Sequence, residues 1–536
     1  MKKSISDFLD GRKAEVGYRT DRTQATFGQP QLSVSPVVYE VAEKTSAVAH
    51  GGVAMIHQIA VQSGLIDKIN EVSVLLLNLP YFESDHLLNL AYNFLCGGTA
   101  LDHIEYRRQD PTYLNMLGTH SIPDPTTAGD FCRRFSPEQI EQLQDKINEA
   151  RQNVWSRQPK SFFDEAIVDM DGSIAPTYGE CKQGMGMSYK GEWGYHPLIV
   201  SLANTNEVLF AMNRSGNRPS HEGAHIYIDK SITLLRKAGF RKIRFRGDTD
   251  FSQTEHLDRW NDQNVLFVFG MDARANLEKL AESLENTAWE RLERPPKYEV
   301  KTAPRGKRFN VKEQIVIERE YKNLTLEHED IAEVEYKPTK CKKSYRLVIL
   351  RKTISVKQGQ EFLFPEIRYF FYITNDREQS ASGIVFESNK RCNQENLIGN
   401  LKGMEALRMP LDNLNSNWVY LIAACLAWSL KSWSALWLAV DGRKREEKLF
   451  GRPVNFSGGK RRKERLLKME FATFLQAMMT LPAQMIRSGR QTIVRLLNVN
   501  DWTATFFQLV EQLRPAKYAR GECKNARGEC KYAQRE

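Results

Sequence analysis

The 536-residue sequence predicts an α/β protein: a mixed sheet with helices packed on it, interrupted by a β-rich insertion and flanked by helical N-terminal and C-terminal regions. Three observations carry that expectation. Apolar residues recur at three- and four-residue spacing up to about residue 155. Near residue 162 the pattern switches to short apolar runs separated by helical stretches. Between about 296 and 380 it alternates with period two.

Residues 1–45 read as a polar arm containing RTDRTQATFG and the strand-like SPVVYEV. Residues 46–155 are helical, with HGGVAMIHQIAVQSGLIDKIN and SDHLLNLAYNFLCGG placing their apolar side chains on one face. DPTTAGDFCRRFSPEQIEQLQDKINEARQNVW predicts two helices. Thr126 or Thr127 is expected to cap the first; Ser136 starts the second, with Pro137 and Glu138 in its first turn. The basic CRRF between them fits a DNA contact or a solvated helical surface equally, and spacing does not separate the two.

From 160 to 295 the sequence predicts the first part of the central domain. FFDEAIVDMDGS reads as a strand, YHPLIVSLANTNEVLFAMNR as two strands around an Asn-containing turn, and HEGAHIYIDKSITLLRKAGF as a helix stopped by Gly239. RKIRFRGD, TEHLDRWNDQ and NVLFVFGMD follow as strand, short helix and strand. Within 296–380, YEVKTAP, KEQIVIEREY, SYRLVILRKT and EIRYFFYITN predict an antiparallel insertion with one wet face. The remainder of the central domain spans 385–440, and a basic helical region 441–515. In the tail, 516–536, ARGECK occurs twice, which reads as a disordered end rather than a repeat fold.

Lys and Arg number 76 against 66 Asp and Glu, and the net charge of +10 favours an anionic partner such as nucleic acid, although many basic proteins bind none. The eight cysteines show no CxxC pairing, so neither a zinc ribbon nor a disulfide framework is indicated, and a reducing, cytoplasmic compartment fits. MKKSISDFLDGRK has no long apolar stretch after its lysines and does not read as a signal peptide. WVYLIAACLAWSLKSWSALWLAV is broken by Ser429, Lys431, Ser432 and Ser434, which predicts a buried core helix rather than a membrane span. Residues 443–468 hold eleven Lys or Arg against three Glu, a phosphate-binding run or a solvated linker and helix.

Three acids stand at places where a mixed sheet presents side chains to a ligand. Asp171 closes the first strand, in DGS, where Gly172 permits a close backbone approach. Asp248 follows a glycine at the end of RKIRFRG, and Glu395 lies in KRCNQENLIGNLKG beside an apolar stripe of Leu397, Ile398 and Leu401. Gathered together they would repel one another unless hard cations such as Mg²⁺ neutralised them. Two such ions roughly 4 Å apart can activate a water or a 3′-hydroxyl for phosphodiester chemistry. The plainer reading makes the aspartates turn formers and helix caps. Asp169 shares the face of Asp171 but sits one step deeper, where a supporting acid is expected.

VDMDGS, IRFRGDTDFS and RCNQENLIGNLKG resemble the three acid-bearing motifs of DDE transposases from bacterial insertion sequences, over roughly 120–470. The likeness is to the group whose second motif reads much like LRADSGF and precedes an apolar strand, here NVLFVFG. It implies a ribonuclease H-like domain interrupted by a β-rich insertion, with Asp171, Asp248 and Glu395 as catalytic acids holding Mg²⁺, or Mn²⁺ as a substitute. In the family's Tyr-x₂-Arg-x₃-Glu-x₆-Lys signature, Arg391, Glu395 and Lys402 match, while Ser388 stands at the Tyr position. The two cations would meet phosphates, Arg391 by forked donors and Lys402 as a point charge. The insertion would help hold the transposon end, with Trp289, near its start, a base-stacking candidate, although a tryptophan three residues before Leu292 on an expected helix is more often core. GMGMSYKGEWGYHPL reads as a DNA-facing loop with Lys190, Trp193, Tyr195 and His196 exposed, or as packed aromatics. In the basic run, Arg461 and Arg462 are candidates for DNA contact.

The activity so implied is Mg²⁺-dependent cutting at the ends of an insertion sequence, then joining of the 3′-hydroxyl ends to target DNA, without a covalent protein–DNA intermediate. At least two protomers would bridge two ends in the bacterial cytoplasm, on the nucleoid when bound. A metal-dependent nuclease without strand transfer would keep the same acids. A non-catalytic DNA-binding derivative would lack one, and all three are present.

Overall fold

The computed structural model describes residues 46–75, 80–295, 319, 322–358, 361–362, 364–439, 459–488, 491–498 and 500–513. The arm 1–45, YEVKTAP, nearly all of KEQIVIEREY, residues 443–458 of the basic run and the ARGECK tail lie outside the described residues. The chain divides into two compact units, Gln158–Cys425 and the residues before and after it.

In the Gln158–Cys425 unit, strands β1 (Glu165–Gly172), β2 (Leu198–Leu202) and β3 (Glu207–Met212) precede helix α1 (Ala224–Ala238). Strand β4 (Lys242–Gly247), helix α2 (Thr254–Asp262) and strand β5 (Leu266–Met271) follow. Their order in the sheet is β3-β2-β1-β4-β5, with β2 antiparallel to both neighbours and β1, β4 and β5 running parallel. This is a ribonuclease H-like arrangement. Its local causes are visible in the chain: Asn206 takes φ 56° in the turn before β3, and Gly239, at φ 98°, ends α1 in a left-handed conformation that costs glycine little.

The insertion contributes the long antiparallel strands β6 (Lys322–Tyr336), β7 (Tyr345–Gln358) and β8 (Glu366–Thr374). Strand β8 pairs antiparallel with β5 from Phe371↔Met271 to Thr374↔Val268, so the insertion extends the central sheet instead of forming a separate one. Helix α3 (Ala381–Asn389) covers this seam, burying Ile384 and Val385 among Val268, Ile331, Val348 and Leu350. Each such aliphatic side chain contributes about 1.5–3 kcal/mol. Helix α4 (Cys392–Gly403) starts immediately afterwards, so the packing of the seam fixes where α4 begins.

The other unit is largely helical before Arg157, including helices Glu83–Leu95, Pro125–Arg133 and Pro137–Trp155. Asp124, not Thr126 or Thr127, caps Pro125–Arg133. Its carboxylate accepts from the Thr127 amide at 3.0 Å and the Thr127 hydroxyl at 2.6 Å. Pro125 explains the difference, because proline suits the first helical position and leaves the preceding residue as cap. Ser136 caps the next helix as expected, in a reciprocal capping box with Gln139. The apolar helix Leu414–Trp437 is long enough to cross a membrane by length and composition, but its most apolar 18-residue window is entirely buried within the protein. Lys431 is accommodated there by donating to the Leu467 carbonyl at 3.0 Å, with its ammonium 4.0 Å from the centre of the Trp428 ring. Among the described residues, Cys96, Cys132, Cys181, Cys341 and Cys392 form no disulfide.

Candidate active site

The odd positions of β1 and the even positions of β4 share one face of the sheet, in a register that sets Asp169 opposite Arg246. On the lower rungs, Glu165, which the register sets opposite Lys242, bonds diagonally to Arg244 at 3.0 Å, and Arg244 also reaches Asp376 at 2.7 Å. On the next, Arg246 grips both oxygens of Asp169 at 2.7 Å and donates to Glu387 on α3 at 2.8 Å. These three side chains are almost wholly buried, so each charge is compensated by a directed hydrogen bond. Burial nevertheless raises the Asp169 carboxyl, against the pull of Arg246.

The alternation breaks on the next rung. Asp171 lies on β1, and the corresponding position after β4 is another acid, Asp248, instead of an arginine. A cation is supplied from outside the strands: Nη1 of Arg391, at the start of α4, lies 3.7 Å from Asp171 and 3.9 Å from Asp248. Burial pushes the Asp171 carboxyl up to about 7, reinforced by the charges of Asp248 and Glu395 and opposed by Arg391 and the Gly172 amide. Burial raises Asp248 as well, with Arg391 pulling it back and Asp250 adding to the rise. Asp248 also caps the short turn Thr249–Phe251 by accepting from the Asp250 amide at 3.1 Å. Its turn-forming and site-forming roles therefore coexist.

Glu395 is placed by its neighbour. Gln394 is buried and donates to the Ile199 carbonyl at 2.9 Å, while its oxygen accepts from the Ser201 hydroxyl. These bonds pin the first turn of α4 onto β2, and Leu397, Ile398 and Leu401 continue the buried stripe. Glu395 is left exposed and lines the same cavity as Asp171 and Asp248, of about 1560 Å³. Lys190 and Lys402 line it too.

Other expected residues lie elsewhere. Asp169 is 1% exposed and held by Arg246, so it supports the strand beneath the cavity. The Trp289 ring packs 4.2 Å from the Arg351 guanidinium and 6.2 Å from the Tyr369 ring on the insertion sheet, outside the lining of the cavity. Arg461 and Arg462 belong to helix Gly459–Leu467 of the other unit, where Arg461 lines a groove with Arg465 and Lys468. Ser388, at the family's Tyr position, is buried and does not line the cavity.

Trp193 is 52% exposed, as in the exposed-loop reading, but Tyr195 and His196 are buried, which for Tyr195 is the packed alternative. They lead directly into β2, and each finds a partner: Tyr195 donates to the Gln183 carbonyl at 2.8 Å, and His196 Nδ1 lies 2.7 Å from the Arg218 carbonyl. His196 still reaches the cavity beside Gly172, where a Cβ would stand 2.7 Å from its Nε2. Sequence reasoning missed Lys182, Asp250 and Arg408, which also line the cavity. A signal existed for Asp250 in the GDTD spacing; Lys182 and Arg408 are brought in by contacts distant in sequence.

As a metal site the arrangement offers hard carboxylate oxygens, with two of the acids converging on a single cationic nitrogen. Among the described residues, no group of three His, Cys, Asp or Glu side chains comes close enough to hold an ion together. The donor chemistry and mutual repulsion of Asp171 and Asp248 fit a divalent cation, with Glu395 further along the same wall.

No curated protein matches the chain. Among solved structures, a piggyBac transposase synaptic complex with hairpin DNA is similar at 10% identity and a TM-score of 0.35, over 80% of this chain and 81% of that one. The family model described as transposase DDE domain group 1 matches residues 38–440. That span contains β1, β4 and α4 with all three acids and covers most of the sequence: the chain belongs to the DDE transposase family.

Proposed function

We propose that the chain cuts DNA at the ends of an insertion sequence and joins the freed 3′-hydroxyls to target DNA, with Asp171, Asp248 and Glu395 as its catalytic acids. The observation that most supports this is the like-charged rung. A face that lower down gives Glu165 and Asp169 an arginine each sets two carboxylates together at the cavity, where burial, reinforced by the charges of Asp248 and Glu395, pushes the Asp171 carboxyl up to about 7. Such an arrangement is costly for folding and useful for holding cations.

Asp171 and Asp248 would hold Mg²⁺, or Mn²⁺ in its place, with Glu395 joining from the exposed face of α4. Bound there, the ions supply activation of the attacking oxygen and stabilisation of the leaving one. The protein's own groups do the rest. Arg391 offsets the charge of the two aspartates and presents forked donors to a phosphate; Lys190 and Lys402 add point charges along the wall. Arg246 and Asp169 lock β1 to β4 beneath. Hydrolysis breaks one phosphodiester bond and leaves a 3′-hydroxyl, and attack by that hydroxyl exchanges one such bond for another. Carboxylates committed to cations leave no protein nucleophile in the scheme. The helical region 46–155, the insertion with Trp289 just before it, and Arg461 and Arg462 would grip the DNA, with at least two protomers bridging two ends in the bacterial cytoplasm.

The test is Mg²⁺-dependent cleavage of DNA carrying the flanking ends of the protein's own gene, with wild type and Asp171→Ala, Asp248→Ala and Glu395→Ala, and DNA binding measured in parallel. Cleavage is expected to fall to background in each variant with binding retained. Cleavage that persists in all three removes the assignment. Supplying DNA with a free 3′-hydroxyl then separates strand transfer, which yields joined product, from simple nuclease action, which does not.

A further inference from the structure

A small sheet of Ala175–Pro176, Gly186–Met187 and Trp193–Tyr195 lies beside the cavity. It is firmly built. Thr177 N donates to the Trp193 carbonyl at 3.1 Å and Ser188 N to the Glu192 carbonyl at 2.8 Å. Gly194 passes so close to Ala175 that a Cβ would lie 2.2 Å from its carbonyl oxygen. The segment between the strands is tied to the chain after α4: Gln183 N donates to the Asp412 carbonyl at 2.7 Å, and Lys182 donates to the Met409 carbonyl.

On this fixed frame Tyr178 and Tyr189 are 87% and 83% exposed, and both line the cavity that holds Asp171, Asp248 and Glu395. Scattered exposed aromatics are ordinary, but two on the wall of one acid-bearing cavity call for a ligand with a flat apolar face. The ammonium of Lys190 stands 5.5 Å from the centre of the Tyr189 ring, placing a cation for a phosphate next to a surface for a base. Bases inside a duplex have both faces occupied by their neighbours. An aromatic surface at the cut site therefore has something to bind only when a base leaves the stack.

Resting on the reading that the cavity takes DNA, we propose that Tyr178 and Tyr189 form a stacking subsite for an unpaired base beside the bond to be cut. The substrate is then DNA locally unpaired at the cut junction, and the two rings stabilise that opened form without reading sequence.

The experiment uses the full chain and DNA bearing its gene's flanking ends, either fully paired or with a mismatch at the junction that removes the cost of opening. Tyr178→Ala and Tyr189→Ala are expected to slow Mg²⁺-dependent cleavage of paired DNA by about 5- to 100-fold. Phe at either position should keep the rate near wild type, and the mismatch should restore most of what Ala loses. In Ca²⁺, permanganate should oxidise an unstacked thymine at the junction in the wild-type complex and less of it with the Ala variants. Ala variants that cut both substrates at the wild-type rate overturn the proposal. Equal losses on both substrates, with normal thermal melting and unchanged permanganate reactivity, also overturn it. Failure of the DNA-cutting reading looks different: wild type and Asp171→Ala would then leave both substrates alike.

Discussion

Asp169 and Asp171 sit two residues apart on one face of one strand and meet opposite surroundings. Asp169 has Arg246 at 2.7 Å on both oxygens, so its removal would leave a buried guanidinium shared with Glu387 alone on that rung. Asp169→Ala is expected to cost about 3–5 kcal/mol, seen as a lower melting temperature, because a buried charge loses its partner. Asp171 works the other way. Its carboxyl, raised to about 7 in the fold, takes up a proton that the unfolded chain, at an ordinary carboxylate value, releases. Between about pH 4 and 7 the folded state binds more protons, so this group's contribution falls as pH rises and is most unfavourable above pH 7. Asp171→Asn should therefore stabilise the metal-free protein by about 1–3 kcal/mol at pH 8 and by little at pH 4.5. Melting curves in chelator across that range check it; a difference that does not grow with pH would contradict the origin given for the shift.

At the scale of elements, helix α4 carries the third acid but is positioned by a neutral amide. Gln394 has its donor on Ile199 and its acceptor on Ser201, so Gln394→Ala leaves polar groups of β2 without their partners. A loss of about 1–3 kcal/mol is expected. Cleavage should fall by more than DNA binding does, since the bonds set Glu395 with Arg391 and Lys402 on α4, whereas the other cations offered to DNA lie off this helix; equal loss of both would make Gln394 a residue of general stability. Away from the site, Asp124→Ala should cost about 1 kcal/mol by uncapping helix Pro125–Arg133, and Thr126→Ala much less, measurable by denaturant titration. The local signals here were mixed. Asp-Pro supplied both the cap and the first helical residue, and the apolar stripe of α4 was readable, whereas the pairing of β8 with β5 was not. Strand period reports which face is wet, but says little about which distant edge a strand will join.

For the whole molecule, an excess of ten positive charges sets the expectation for DNA binding. Affinity should drop steeply with salt, by about 10³–10⁵ between 50 and 200 mM if six to ten phosphates are neutralised. A titration that shows little salt dependence would remove the argument from charge. The cations are unevenly useful: Lys190 and Lys402 share the cavity with the acids, while Arg461, Arg465 and Lys468 line a groove in the other unit. Charge reversal at Arg461 should weaken binding and its salt slope while leaving cleavage of saturating DNA nearly unchanged; reversal at Lys402 should affect both.

Much of this protein followed from local chemistry. Alternation with period two placed the strands, three- and four-residue spacing placed the helices, and glycines beside Asp171 and Asp248 marked the strand ends where acids reach a ligand. The resemblance of three short motifs to DDE transposases pointed to the family, which the family match shows, and implied the order of those acids. Tertiary structure decided what the acids do to one another. Arg246 claims Asp169, while Asp248 and Arg391 confront Asp171, and the exposure of Tyr178 and Tyr189 against the burial of Tyr195 and His196 was settled the same way. The reason is physical: backbone period fixes the face a side chain takes, whereas charge compensation and burial depend on strand register and on helices contributed from more than a hundred residues away.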